Sequence, residues 1–238
     1  MGADGSAHGV GYSRFHRVAE ALGIAMLLGS IAYGAWQVSA YTTDLVRGLL
    51  VAGGVFVGYL LADLCSGIVH WMGDRYGTPE TPLVGPNFIR PFREHHVDPK
   101  GMTRHDFIET NGNNSLVTLP VIGFCFLVFP LEERWGLFGF CTIVSLAAWV
   151  FATNQFHKWS HEDDVPAFVA WLQRNHVILG VRHHDVHHTY PYETYYCITS
   201  GWLNEPLHRI RFWSRAEATV EKIFGVSAYR DDSDPGAA

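Results

Sequence analysis

The chain has 238 residues and a formal net charge of -6, with 17% charged residues against 48% hydrophobic. A modest acidic balance excludes the basic footprint of a nucleic-acid binder, and the charged share falls well below that of an ordinary soluble domain. Four scattered cysteines, Cys65, Cys125, Cys141 and Cys197, exclude a disulfide framework and a CxxC knuckle.

Residues 1–17 read as a flexible N-terminal segment. Ala21 to Thr43 carries no charge and is long enough to cross the ~30 Å hydrocarbon of a bilayer. Gly48 to Gly73 is a second span, interrupted only by Asp63 and His70. Tyr76 to Pro91 is rich in Pro and Gly and reads as a loop. Asn111 to Leu131 and Gly136 to Phe156 form a third and a fourth uncharged run. Only Glu132-Glu133-Arg134 and the flanking Trp135 separate them, so they form an antiparallel hairpin. Pro166 to Gly180 is amphipathic and suits a helix lying on the bilayer surface. Asp231 to Ala238 reads as a disordered tail. The pattern predicts an all-α, multi-pass membrane protein: one domain over 18–230, with four transmembrane helices and a histidine-rich helical cap.

The histidines occupy one side of that topology. His70 ends the second span, His95, His96 and His105 precede the third, and His157 and His161 follow the fourth. His183, His184, His187 and His188 come later, with no further span between. A hairpin returns the chain to its starting side, so all of them face one compartment. Lysines and arginines concentrate on the same side, which makes it cytoplasmic by the positive-inside rule, with both termini inside.

Two boxes carry metal-ligand spacing. His157 and His161 are one helical turn apart, and His184, His187 and His188 share a face at i, i+3 and i+4. His183 points elsewhere on such a helix. His95 and His96 are adjacent, so both can ligate only if they serve different ions or the backbone is irregular. Neutral imidazoles are good ligands for iron, zinc and copper, and this many exceed the needs of one tetrahedral zinc. They read as a site for two metal ions. Asp63 lies inside a span, where an unpaired charge is costly, so a histidine or arginine partner is expected. Asp63, Asp74, Glu94 and Asp185 are placed to accept the outer N–H of metal-bound imidazoles. Histidine ligation at a membrane surface suits an O2-activating iron centre. No Walker loop or dinucleotide fingerprint is visible, so electrons must come from a partner protein.

Five segments carry a family resemblance. They are Asp63-Leu-Cys-Ser-Gly-Ile-Val-His70-Trp71, Phe88-Ile-Arg-Pro-Phe-Arg-Glu-His95-His96-Val-Asp-Pro, Thr103 to Asn114, Thr153-Asn-Gln-Phe-His157-Lys-Trp-Ser-His161, and Glu193 to Asn204. Together they resemble the plasmanylethanolamine desaturases, the Kua/CarF lipid desaturase family. The resemblance implies an enzyme that uses O2 and two electrons to place a vinyl-ether double bond at C1–C2 of the alkyl chain of a 1-O-alkyl ether phospholipid. It implies two iron ions held by eight histidines, His70, His95, His96, His157, His161, His184, His187 and His188, with His105 typical of the ether-lipid branch. Cytochrome b5 or a ferredoxin-type protein would be the donor, in a bacterial inner membrane or the endoplasmic reticulum. Arg90 and Arg93 are the expected phosphate contacts. Val181 and Asp185 depart from the basic residues common around the last box. The alternative is a desaturase or hydroxylase acting on phospholipid acyl chains.

Overall fold

The computed structural model describes residues 13–230. Among them every regular element is helical. The expected flexible segment 1–17 therefore falls mostly outside the described residues, and Arg14 to Arg17 already belong to the first helix. The expected tail, 231–238, lies wholly outside them.

Among the described residues, four helices are long and apolar enough to cross a membrane: α1 (Arg14–Tyr41), α2 (Leu45–Arg75), α4 (Phe107–Val128) and α5 (Arg134–His161). Each extends past the uncharged run that marks it at one end at least, because helical backbone does not stop where charge begins. In two of them the extension carries polar side chains of interest. Helix α2 runs on past Gly73 through Asp74, and α5 runs on past Phe156 through both His157 and His161.

The chain forms two compact units. The first takes the described residues up to Gly58 together with Met102–Gln155. Its α1 starts at Ser13, whose Oγ accepts from the His16 N–H at 3.1 Å. Helix α4 starts at Asp106, which accepts from the N–H groups of Ile108 and Glu109 at 3.0 and 3.1 Å and pairs with Arg17 at 2.6 Å. The core is apolar: Ile24, Leu27, Ile122, Ala147 and Phe151 form one cluster, and Cys125, Leu131, Leu137, Phe140 and Cys141 another. The first turns of α2 pack backbone to backbone on α5. A Cβ at Gly54 would stand 2.7 Å from the Phe138 carbonyl, and one at Gly58 would meet the Thr142 carbonyl. Small residues four apart allow this approach, the usual device where lipid offers no hydrophobic drive for helices to associate. Arg47 closes the far end by donating to the carbonyls of Leu131 and Glu132 in the turn of the expected hairpin.

The second unit takes Tyr59–Gly101 and the described residues from Phe156 onward. It holds the end of α2, a π-helical turn at Gly85–Ile89, α3 (Arg90–Val97), the end of α5, α6 (Ala167–Arg174), α7 (Val181–Asp185), α8 (Asn204–Arg209) and α9 (Phe212–Phe224). Its apolar centre is Trp71, Tyr196, Cys197 and Trp213. The expected surface helix over Pro166–Gly180 is shorter than the pattern suggests. It stops at Arg174, His176 takes a φ of 57°, and Ile178 and Leu179 turn inward to 1% and 0% exposure. A continuous helix could not bury those two side chains while leaving Phe168 and Trp171 exposed.

The partner of Asp63 also differs from expectation. Its carboxylate accepts three backbone N–H groups, from Ser200 at 2.7 Å, Gly201 at 2.9 Å and Leu203 at 3.0 Å. No histidine or arginine is needed, because bonds from a loop disperse the charge. This contact ties the segment after the last histidine box to α2.

Candidate metal centre

Eight histidines and one aspartate of the second unit gather into two adjacent groups. His95, His157, His161, His184 and His188 form one, and His70, Asp74, His96 and His187 form the other. Within each, one donor atom per residue lies within 4.8 Å of every other. That spread is near the ~4.2 Å between opposite ligands of an ion bound at about 2.1 Å. The groups abut, with ring centroids 5.7 Å apart for His70 and His157 and 5.2 Å for His96 and His188.

Local backbone explains the arrangement. His157 and His161 share a face of α5, and His70 and Asp74 share a face of α2. In α7 and the turn after it, the N–H groups of both His187 and His188 donate to the His184 carbonyl. That keeps the i, i+3, i+4 spacing, yet the three rings divide. His184 and His188 enter the first group, and His187 enters the second. The adjacent pair on α3 divides likewise, with His95 in the first group and His96 in the second.

In the first group His184 is central. Its Nε2 lies 2.8 Å from that of His157, 2.9 Å from His161 and 3.0 Å from His188. In the second group the tautomers are fixed from behind. His70 Nδ1–H donates to the Tyr196 carbonyl at 3.2 Å, and His187 Nδ1–H donates to the Thr194 carbonyl at 2.8 Å. A carbonyl can only accept, so both Nδ1 atoms carry a proton, which leaves Nε2 as the atom of each ring able to ligate. Those Nε2 atoms, and that of His95, are buried without a hydrogen-bond partner. Asp74 Oδ2 stands among the second group, 3.1 Å from His96 Nε2 and 3.4 Å from each of His70 and His187. The orphaned Nε2 atoms of His70, His95 and His187, converging with other imidazole nitrogens and a carboxylate, are the partners that a cation satisfies, so the donor set fits metal ions. Burial, reinforced by neighbouring imidazoles, holds His95, His184 and His188 well below the usual histidine range. They are therefore neutral and able to ligate at physiological pH.

The lipid desaturase domain matches residues 59–231 of this chain. The chain is 45% identical to the plasmanylethanolamine desaturase of Myxococcus xanthus, over 96% of its own length and 80% of that protein's. It is 48% identical to plasmanylethanolamine desaturase 1 of Mus musculus, over 77% of this chain and 69% of that one. The chain belongs to the lipid desaturase family. It is also 33% identical to the chloroplastic fatty acid desaturase 4 of Arabidopsis thaliana, over 89% of this chain and 63% of that one. No solved structure matches it.

Other expected residues of this lipid desaturase lie outside both groups. His183 hydrogen-bonds to Asn204 Nδ2 at 3.0 Å, and His105 lies 3.7 Å from Glu109. Glu94 and Asp185 are exposed and belong to neither group. Carboxylates were expected behind the rings; carbonyls of Thr194 and Tyr196 stand there for His187 and His70. Asp74 stands beside the ring nitrogens of His70, His96 and His187 and could itself donate to an ion. Its spacing held a signal, since Asp74 lies one turn after His70 on a helix that outlasts the apolar run. Arg90 is exposed on α3. Arg93 donates to the carbonyls of Gly73 at 3.2 Å and Gly77 at 3.4 Å and lies 3.7 Å over the Tyr229 ring.

Proposed function

We propose that this protein is an ether-phospholipid desaturase converting plasmanylethanolamine to plasmenylethanolamine. The similarity over nearly the whole chain to a plasmanylethanolamine desaturase carries the reading, and two abutting histidine groups supply the site it requires. His95, His157, His161, His184 and His188 would hold one iron; His70, His96, His187 and Asp74 would hold the other. When bound, the pair would supply the O2-derived oxidising power that an unactivated C–H bond requires. Overall, the C1–C2 bond of the alkyl chain gives up two protons and two electrons as it becomes a double bond. Two further electrons come from an external donor such as cytochrome b5 or a ferredoxin-type protein and two protons from water, and O2 leaves as two water molecules.

The chain's own residues orient and shield. The Thr194 and Tyr196 carbonyls fix the imidazole tautomers, and Asp63 anchors the loop that bears Ser200 to Leu203. Of the two arginines expected at the phosphate, Arg93 lies on the side of the site that meets the lipid headgroup, whereas Arg90 is exposed on α3. The reacting bond lies beside the glycerol, at the depth of a membrane interface, where α2 and α5 end. The metal site and both termini lie on the cytoplasmic side, in a bacterial inner membrane or the endoplasmic reticulum. The test is incubation of iron-loaded protein with a plasmanyl lipid, O2 and a reductant. Acid-labile vinyl ether should form in proportion to O2 consumed. A double bond appearing only in an acyl chain, or conversion without O2, would refute this reading.

A further inference from the structure

The ether-lipid reading places a geometric demand on the second unit. The C1–C2 bond is joined through the ether oxygen to glycerol, only a few bonds from the phosphate. With bonds of about 1.5 Å, phosphate and reacting carbons cannot be more than roughly 10 Å apart. The phosphate pocket must therefore share a wall with the metal ligands, unlike that of an enzyme acting mid-chain.

A cavity of about 370 Å³ meets this demand. Asp74 and His96 line it, together with Arg75, Arg93, Tyr192 and Tyr229. Tyr192 packs its ring 4.8 Å from that of His96. Arg75 is neutralised by Glu193 at 2.9 Å and Glu217 at 2.8 Å. Among the described residues, Arg93 has no carboxylate within ion-pair distance, although the Asp74 charge acts on it from further off. Its N–H groups reach the Gly73 and Gly77 carbonyls and the Tyr229 side chain, and a guanidinium has five, so at least two are left for phosphate oxygens. Tyr229 holds that guanidinium in place. Its ring lies 3.7 Å under the Arg93 fork, and its N–H donates to the Arg75 carbonyl at 2.7 Å, pinning the segment after α9 to the end of α2. A cation fixed on two sides loses little freedom on binding.

We infer that this cavity seats the phosphodiester of the substrate, with Arg93 as its cationic contact and Tyr229 as the residue that positions Arg93. Arg90, exposed and absent from the cavity wall, contributes little. The inference rests on the ether-lipid reading, and its test separates the two. Full-length, iron-loaded protein is assayed with a 1-O-alkyl-2-acyl-glycerophosphoethanolamine and with the matching 1-O-alkyl-2-acylglycerol, which lacks phosphate. Arg93→Gln should raise KM for the phospholipid at least about tenfold, the loss of one charge-assisted contact, with kcat and iron content held. KM for the phosphate-free lipid should not move. Arg93→Lys should fall between, and Tyr229→Ala should raise KM in the same direction, while Arg90→Gln stays near wild type. An unchanged KM in both Arg93→Gln and Tyr229→Ala, or an equal rise for both lipids, overturns the inference while leaving the desaturase intact. Equilibrium binding of the phospholipid to iron-free protein gives the same comparison without turnover. If wild type binds the phospholipid no better than the phosphate-free lipid, the cavity is not a phosphate site. If loaded wild type binds the phospholipid but never desaturates it, the ether-lipid reading fails instead.

Discussion

Asp74 Oδ2 lies 3.1 Å from His96 Nε2, closer than it lies to either of the other two imidazoles in its group. A carboxylate among three ring nitrogens stands where a direct ligand of an ion would, which is the role proposed for it. Asp74→Asn keeps the shape and removes the charge. Activity should fall about 10- to 100-fold, the usual range for losing support at a metal site, and iron per chain should drop. Elemental analysis beside turnover decides it: full iron in an inactive variant would return Asp74 to a supporting role.

His184 and His183 are neighbours with opposite expectations. His184 lies 2.8–3.0 Å from three other imidazole nitrogens, whereas His183 meets the Asn204 amide. His184→Ala should abolish activity and cost the protein bound iron. His183→Ala should keep iron and activity and lose about 1 kcal/mol of stability with its hydrogen bond. Iron loss in His183→Ala without unfolding would show that the donor groups are wrongly drawn.

Asp63→Ala should destabilise the fold without touching a donor. Three backbone N–H groups would lose a charged acceptor in a buried site, which costs on the order of 3 kcal/mol or more. Thermal unfolding in detergent measures it. A wild-type midpoint would mean that water or another acceptor replaces the carboxylate.

Acid should weaken the iron-free protein. His95, His184 and His188 are held below their ordinary range, first by burial and then by neighbouring imidazoles. The unfolded chain takes up protons on these rings as pH falls below about 6.5, and the folded chain does not until far lower. Stability present at pH 7.5 should therefore decline steadily towards pH 5.5. Unfolding midpoints that stay flat or rise across that window would contradict the burial of these rings.

The four apolar spans were legible because uncharged runs of that length have few other uses. The two boxes were legible because helical spacing puts His157 with His161, and His184 with its followers, on shared faces. The split between His95 and His96 was legible as an option, since adjacent residues on a helix cannot face one ion. What escaped lies in the irregular backbone. Neither the Thr194 and Tyr196 carbonyls nor the Ser200 to Leu203 amides have a side-chain signature, and Tyr192 and Tyr195 take positive φ values of 61° each. Loop conformations of this kind depend on tertiary contacts that no local pattern encodes. The same holds for Pro166–Gly180, where periodicity promised a longer helix and the burial of Ile178 and Leu179 prevailed.

The ligand groups join the tips of α2, α3 and α5 to the turn ending at His188, and Met102–Gln155 of the other unit intervenes in the chain. The proposed ligand set is complete only once translation has passed His188 and the last apolar span has been made. An ion that it holds therefore loads after synthesis, and chains made without iron should be clipped by proteases between α5 and α8 more readily than loaded ones.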